Sequence, residues 1–180
     1  EGVRSEADRQ VLDMRLEVAP GAYIVYEYVL YNEQNPSRDY LIDFNVKLEN
    51  LSPIMAQQST LGMMWSNRTY QNERSFKNEN MYTSLYYRHP GETGIEDLGV
   101  SEGNKNKSVS TSVDWVAFKQ QYFTTAIIPQ SVDFTYADLA YQTLPEKSGF
   151  IKEYSMSAAV PYTMQTAGYK FDLYLGPNKF

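Results

Sequence analysis

Histidine is the side chain best suited to acid–base catalysis or zinc binding near neutral pH, and this chain has one, His89. A catalytic triad or an imidazole-based zinc site would therefore have to use it. It lies in the segment Arg88-His89-Pro90-Gly91-Glu92, whose proline and glycine are typical of a turn. No suitable partner stands at a fixed spacing from it, so we predict a surface histidine without a catalytic role.

The other reactive residue types also offer no catalytic pattern. The chain contains no cysteine, which excludes disulfides, thiolate nucleophiles, cysteine-ligated zinc and iron–sulfur clusters. Glu96 and Asp97 are adjacent, and neighbours on a strand point to opposite faces, so they are poor acid–base partners. Phosphate-binding loops, dinucleotide-binding loops and nucleophile elbows are missing from the sequence. We predict no catalytic residue, no metal site and no cofactor.

Charge and hydropathy restrict the possible partners. The 180 residues carry 16 basic and 22 acidic side chains, a net charge of -6, without the basic cluster that nucleic acid requires. The longest uncharged apolar stretch, residues 122–129, is far shorter than the roughly 20 residues of a membrane helix. The length fits a single domain over residues 1–180. Because the chain starts with Glu1 and shows no signal peptide, we interpret it as a mature or excised segment.

Alternation of apolar and polar residues predicts half-buried antiparallel strands with one face on a core. It occurs in residues 12–18, 42–48, 154–160 and 169–175. Residues 22–31 are apolar or aromatic on both faces and predict a central strand covered on each side. Residues 122–128 are also almost uniformly apolar. The expected fold is all-β with minor helix, in which two antiparallel sheets pack against each other.

The segments between these strands are predicted to be connections. Residues 32–39 read as a surface loop, and residues 67–80 and 91–112 as long loops, the last interrupted by a short strand around residues 95–98. Residues 114–123 are rich in β-branched and aromatic side chains. This composition favours a strand, a tight bend at Lys119-Gln120-Gln121 and a second strand over a helix.

Tyrosine is the compositional outlier, with 16 tyrosines against 8 phenylalanines and 2 tryptophans. Tyrosine is common in strands, because its ring packs on a pleated surface while its hydroxyl reaches water. A structural role is therefore the simplest interpretation. A sugar-stacking surface is the alternative, and it would need several coplanar exposed rings, for which we consider Tyr26, Tyr28, Tyr86, Tyr87 and Tyr122.

Residues 114–129 carry the most specific pattern of the chain. Their sequence, DWVAFKQQYFTTAIIP, closely resembles the segment W-[IV]-A-x-x-x-x-Y-F-x-[TA]-A-x-I-P in the periplasmic domain of the YidC family of bacterial membrane protein insertases. Residues 171–177 are similar to the strand that ends in Gly-Pro in that domain, and the Tyr-rich residues 82–87 resemble its Bacteroidetes branch. The matching residues are Trp115, Ala117, Tyr122, Phe123, Ala126, Ile128, Pro129, Gly176 and Pro177.

The resemblance implies a fold and a function. The implied fold is an antiparallel β-supersandwich of the galactose-mutarotase-like kind, of which this chain would be the C-terminal part. The implied function is that of a non-enzymatic domain on the periplasmic side of the bacterial inner membrane, within an insertase and chaperone for membrane proteins. The implied partners are accessory subunits of the Sec translocon and nascent membrane-protein segments. They would bind by strand addition at a sheet edge or by apolar contact in a cleft between sheets.

The resemblance transfers no catalytic or substrate-binding residue, because insertion belongs to the membrane-spanning core of that family, and it implies a membrane link only through flanking spans. Trp115, Tyr122 and Phe123 are expected to be core aromatics. Two alternatives remain open. An aldose-epimerase-like enzyme would need His89 beside a carboxylate, and a carbohydrate-binding module would need the exposed tyrosine surface described above.

Overall fold

The computed structural model describes residues 2–32, 38–100 and 103–178, which form thirteen strands and one short helix. In chain order the elements are β1 (Gly2–Ser5), β2 (Arg9–Ala19), β3 (Ala22–Tyr31), β4 (Leu41–Glu49), β5 (Thr60–Tyr70), α1 (Phe76–Asn80), β6 (Ser84–Arg88), β7 (Glu96–Asp97), β8 (Asn104–Val109), β9 (Trp115–Lys119), β10 (Phe123–Pro129), β11 (Tyr136–Thr143), β12 (Phe150–Pro161) and β13 (Gly168–Pro177).

These strands form two antiparallel sheets of unequal size. The large sheet has nine strands in the order β1-β2-β3-β4-β13-β10-β9-β6-β7, and the small sheet has four in the order β5-β12-β11-β8. The prediction of an all-β fold with two packed antiparallel sheets is therefore confirmed. The finer assignment to a galactose-mutarotase-like supersandwich stays a prediction. Among the described residues, no helix has both the length and the apolarity to cross a membrane.

The core lies where the two sheets overlap. The ring of Phe118 on β9 stacks on that of Tyr154 on β12, with 4.9 Å between the centroids. Alternate side chains of β12, namely Tyr154, Met156 and Ala158, are each at most 1% exposed. The predicted strands at residues 42–48, 154–160 and 169–175 are confirmed as β4, β12 and β13.

The first strands of the large sheet are less covered than their sequence predicts. Met14, Leu16 and Val18 on β2 are 39%, 51% and 47% exposed, so the expectation that this apolar face packs on a core is wrong for them. The reason is that the small sheet, with fewer than half as many strands, covers only part of the large one. Residues 22–31 form β3 between β2 and β4, but Val25 is buried on one face whereas Tyr26 on the other is half-buried. Coverage of β3 on both faces is therefore incomplete.

The predicted loop at residues 67–80 contains regular structure. Residues 67–70 complete β5, because their polar side chains are accommodated on a strand that borders the small sheet. Residues 76–80 form α1, and the hydroxyl of Ser75 caps this helix by accepting a hydrogen bond from the Asn78 amide at 3.2 Å.

The other predicted connections have mixed outcomes. The long loop predicted at residues 91–112 contains β8 (Asn104–Val109), whose polar sequence suits an edge strand, as well as β7, which confirms the short strand expected around residues 95–98. The predicted bend is confirmed between β9 and β10, where the Gln120 amide donates to the Phe123 carbonyl at 2.8 Å. The predicted loop at residues 32–39 lies mostly outside the described residues.

Candidate binding cleft beside an unpaired strand edge

An apolar cleft of about 500 Å³ opens between the inner face of the large sheet and strand β5 of the small sheet. None of the described residues that line it carries a charged side chain. The principal lining residues are Met14, Ile24, Tyr26, Leu61, Met63 and Trp65. The cleft exists because the inner faces of β2 and β3 extend beyond the small sheet, so their apolar side chains have no facing layer.

Strand β5 forms one wall of the cleft through its alternating side chains. Leu61, Met63 and Trp65 are half-buried, while Gly62 and Ser66 between and beside them are exposed. The Trp65 ring stacks on the core residue Phe118 at 4.3 Å between centroids. This stack holds β5 against the body of the sandwich, so the wall is a fixed element rather than a loop.

Aromatic rings of the large sheet form the opposite wall. Phe44 on β4 stacks with Tyr28 at 4.8 Å and with Tyr26 at 6.2 Å, both on β3. Burial raises the pKa of the Tyr28 hydroxyl, so this group stays neutral at physiological pH. The cleft therefore offers dispersion contacts and polarisable rings, which suit an uncharged apolar ligand.

Strand β5 also has an unpaired edge. It is the terminal strand of the small sheet, and among the described strands it pairs with β12 alone. Eleven residues long, it therefore presents a row of backbone amides and carbonyls without a strand partner on its outer side.

The other sheet edges are protected in ways that β5 is not. Strands β1 and β7, which border the large sheet, have four and two residues. Strand β8, which borders the small sheet opposite β5, carries Lys105 and Lys107 on a polar sequence. Short length and lysine side chains are the usual protections of a sheet edge, whereas β5 has Met63, Met64 and Trp65 at its centre. Of the described edges, β5 is thus the one suited to accept a strand.

The residues that matched the family motif lie on β9, β10 and β13, which are neighbours in the large sheet. Ala117 and Ala126 face each other across β9 and β10 and are 6% and 7% exposed. They lie in one ladder row between Tyr86 on β6 and Tyr174 on β13. Trp115 is half-buried, and the guanidinium of Arg88 lies 5.8 Å from its ring.

The end of the motif and the Gly-Pro pair have structural contacts. Ile128 and Pro129 are half-buried at the end of β10. Gly176 is buried beneath Tyr40, and a Cβ at this position would lie 2.6 Å from the Tyr40 Cβ, so the close approach requires glycine. Pro177 lies opposite Phe123 in the pairing of β13 with β10.

Two motif aromatics are not in the core. Tyr122 and Phe123 are 48% and 53% exposed, so the expectation that they are core residues is wrong. The bend after β9 places them at one end of the sandwich, beyond the overlap of the sheets. There the Tyr122 hydroxyl donates to the Glu73 carboxylate at 3.0 Å.

His89 has contacts that suit a structural role. Its Nδ1 lies 2.9 Å from the Ser112 carbonyl and 3.3 Å from the Thr111 hydroxyl, and its ring meets Tyr87 edge-on at 5.5 Å. These contacts include no carboxylate, which is the partner that an epimerase mechanism would need. Among residues 2–32, 38–100 and 103–178, no group of three or more histidine or acidic side chains could hold a metal ion.

The tyrosines considered for sugar stacking do not form one exposed surface. Tyr87 is 1% exposed, and Tyr26, Tyr28 and Tyr86 are half-buried. Tyr122 alone of the five is exposed. Because a stacking platform needs several exposed coplanar rings, these five tyrosines do not provide the surface that the carbohydrate-binding hypothesis expected of them.

Sequence reasoning anticipated a cleft between sheets but did not identify its residues, and it missed a buried cation. The alternation Leu61, Met63, Trp65 was the available cue for β5, but the polar residues after it hid the strand. Lys152 is fully buried, its ammonium donates to Asn80 Oδ1 and it lies 4.8 Å from the Tyr141 ring centroid. Burial, with the nearby Lys105, lowers its pKa to about 8. A register shift between Phe150 and Glu153 interrupts the alternation around this lysine, which the sequence pattern did not reveal.

The fold and the cleft define the class of this chain as an all-β sandwich domain with an apolar cleft between its sheets. Its sequence matches the profile of the family described as the YidC periplasmic domain over residues 2–180. The chain therefore belongs to the YidC periplasmic domain family, as the resemblance in residues 114–129 implied.

Relatives of this chain are named as membrane protein insertases YidC. The protein from Porphyromonas gingivalis strain W83 is 31% identical over 178 residues, which cover 98% of this chain and 27% of that protein. The protein from Bacteroides fragilis strain NCTC 9343 is 30% identical over 171 residues, covering 93% of this chain and 26% of the relative. The chain thus spans about a quarter of the length of the curated relatives that it matches.

Proposed function

We propose that this chain is the non-enzymatic periplasmic domain of an inner-membrane protein insertase and that it holds extended apolar segments of client proteins. The family assignment and the names of the relatives support the insertase context. The cleft supports the interaction, because its lining is uncharged and matches the apolar side chains of a membrane-protein segment.

The observation that carries this proposal is the position of the cleft beside the free edge of β5. An added strand on β5 would form backbone hydrogen bonds and place alternate side chains over the exposed inner face of β2 and β3. Main-chain pairing gives affinity that is independent of sequence, and the cleft selects apolar side chains. This combination fits a chaperone that must accept many different segments.

Accessory subunits of the Sec translocon are the second class of partner that we propose. The main-chain pairing at β5 does not depend on the sequence of the added strand, so an exposed strand of such a subunit with apolar side chains on one face could use the same edge. Competition between the two partners for binding would then be expected, because each would occupy β5.

A labelled peptide tests the proposal directly. The probe is a twelve-residue peptide with alternating leucine and threonine, and its binding to the 180-residue chain is followed by fluorescence anisotropy. We expect Met14→Asp, which places a charge at the mouth of the cleft, to weaken binding at least about tenfold, or 1.4 kcal/mol. Ile95→Asp is the matched control, because Ile95 is also exposed, at 60%, but lies outside the cleft.

A peptide with methylated backbone amides distinguishes strand addition from simple apolar contact. A peptide N-methylated at every second residue keeps its side chains but loses the amides of one edge, so we expect it to bind about tenfold more weakly than the parent. Equal effects of Met14→Asp and Ile95→Asp, or no binding to the unmodified chain, would contradict the proposal.

A further inference from the structure

Exposed aromatic side chains are concentrated at one end of the sandwich. Six described aromatic residues are at least 39% exposed, and five of them, all except Tyr136, lie at the end where β9 turns into β10. We call this surface the aromatic end. Its members are Tyr40, Tyr70, Tyr82, Tyr122 and Phe123, which are 51%, 66%, 49%, 48% and 53% exposed.

Backbone contacts show that several of these rings share the same end of the large sheet. The Tyr122 carbonyl accepts from the Asn178 amide at 2.7 Å, and the Tyr40 carbonyl accepts from the Leu175 amide at 2.9 Å. The Tyr82 carbonyl lies 3.4 Å from the Lys119 ammonium, which donates to it. All three contacts therefore lie near the C-terminal end of β13 or β9.

Tyr70 belongs to the small sheet at the same end of the molecule. Its ring packs on that of Phe150 at 4.7 Å between centroids, and the adjacent Gln71 amide donates to the Gly149 carbonyl at 2.9 Å. The segment that follows Tyr70 reaches the large sheet through Glu73, which accepts the hydrogen bond of Tyr122. Both sheets thus contribute rings to one surface.

The charge of this end differs from that of the whole chain. Residues 38–40, 70–82, 119–123 and 143–150 contain five basic and four acidic side chains, a net charge of +1, whereas the whole chain has -6. One of the acidic residues, Glu79, is 1% exposed and accepts hydrogen bonds from the Asn72 and Glu73 amides. Arg74 and Lys77 are exposed beside it. Cations therefore outnumber anions at this surface.

We propose that the aromatic end docks on the surface of a lipid bilayer that carries anionic headgroups. Tyrosine is enriched at membrane–water interfaces, because its ring contacts the acyl chains while its hydroxyl remains in the polar layer. Lysine and arginine near an anionic bilayer each add favourable attraction. This docking would be a direct contact, additional to any flanking membrane span.

A bilayer explains this surface better than a protein partner does. The rings are spread around the end of two sheets, and Arg74 and Lys77 lie in the segment between Tyr70 and Tyr82, whereas the lining of the cleft is uncharged. Rings that are separated from one another suit a bilayer surface, because lipid molecules can fill the space between them. The inference rests on the proposed insertase context, but it uses residues outside the cleft, so the two proposals can fail independently.

Vesicle flotation of the 180-residue chain tests the docking. The probes are vesicles of phosphatidylcholine alone and of phosphatidylcholine mixed with phosphatidylglycerol, at low ionic strength. We expect the chain to partition onto the mixed vesicles. The double variant Arg74→Gln with Lys77→Gln should reduce this partitioning about 25-fold, since each cation near an anionic surface contributes a factor of about five.

The rings are tested by the double variant Tyr122→Ser with Phe123→Ser, for which we expect about a tenfold loss of partitioning. The matched control is Ile54→Ser with Met164→Ser, because these residues are 52% and 54% exposed but are not part of the aromatic end. We expect the control to bind within about twofold of the unmodified chain. Circular dichroism confirms that each variant is folded.

Three outcomes would overturn the docking: no flotation with the mixed vesicles, equal flotation with both vesicle types, or a control variant that loses as much binding as the ring variant. If the chain binds the apolar peptide in its cleft but does not float, this inference fails and the proposed function stands. If it floats but does not bind the peptide, the reverse holds.

Discussion

In the half of the sandwich built around β9, β11 and β12, the inner side chains are almost fully buried, whereas those of β2 remain open to solvent. Phe118, Leu139 and Met156 are each 1% exposed, but Met14 and Leu16 are 39% and 51% exposed. We call these regions the closed half and the open half. Both are built from alternating antiparallel strands, so the difference comes from what covers them and not from how the strands form.

In the open half, the stability of the fold is not the main constraint on the sequence. Covering its apolar side chains with another layer would contribute about 25 cal/mol for each Å² removed from water. Among the described residues, nothing buries the inner face of β2 fully, so this free energy is not gained there. The strand edge beside this face is also unpaired. A partner that covered this apolar face and paired with the free edge would gain the free energy of apolar burial that the fold alone does not gain.

The largest contrast between the halves is expected from truncating their inner side chains. Phe118→Ala removes a ring that stacks on both Trp65 and Tyr154, at 4.3 and 4.9 Å between centroids. We expect it to lower the free energy of unfolding by about 4 kcal/mol, because the closed half is too well packed to refill the cavity. Urea unfolding followed by tryptophan fluorescence and circular dichroism measures the change.

The matched change in the open half is Ile24→Ala. Ile24 is half-buried and lines the cleft, so its truncation enlarges an existing opening instead of creating a closed cavity. We expect a loss of about 1 kcal/mol. Similar losses for the two variants would mean that the open half is packed as tightly as the closed one, and would contradict the comparison.

A pH-dependent effect of intermediate size is expected from the buried Lys152 of the closed half. Burial, with a smaller contribution from Lys105, lowers the pKa of this lysine from 10.5 to about 8. Below about pH 8 the ammonium is charged in both states, and the folded state bears the cost of burying it. Above that pH the folded state releases the proton while the unfolded state keeps it up to about 10.5, so stability rises with pH between these values.

The variant Lys152→Met has no such titration. Between pH 7 and pH 10, we expect the free energy of unfolding of the unmodified chain to rise by about 2 kcal/mol more than that of the variant. Lys147→Met is the control for the loss of one lysine side chain, because Lys147 is an exposed loop residue. A constant difference for Lys152→Met would show that the lysine is not desolvated.

Several strands could be predicted from the sequence, but which of them are covered by a second layer could not. Residues 12–18 and 42–48 alternate in the same way, and both form strands, β2 and β4. Phe44 is nevertheless 9% exposed and Leu16 51%. Alternation reports which side chains share a face, whereas burial depends on the second layer, which is made by residues far away in the chain. Local pattern therefore cannot distinguish a covered strand from an open one.

The expected burial of Tyr122 and Phe123 was wrong for a related reason. Their side chains are of the kind found in a core, but a bend places them beyond the overlap of the sheets. The edge strand β5 was hidden because its last residues are polar, although Leu61, Met63 and Trp65 alternate correctly. The family motif identified the fold through residues of the β9–β10 segment and of β13 that do not line the cleft, and among them Gly176 is required by the close approach of Tyr40.

The smallest stability effect is expected from the open face itself. Met14→Ser combined with Leu16→Ser replaces two exposed apolar side chains of β2, and we expect the free energy of unfolding to change by less than about 0.5 kcal/mol. The same variant should bind the dye 8-anilinonaphthalene-1-sulfonate more weakly than the unmodified chain, because the dye reports accessible apolar surface in the native state. Urea unfolding and dye titration on the same samples measure both quantities. A large loss of stability with unchanged dye binding would show that this face is covered in solution, and the open half would then be closed by a contact that the described residues do not provide.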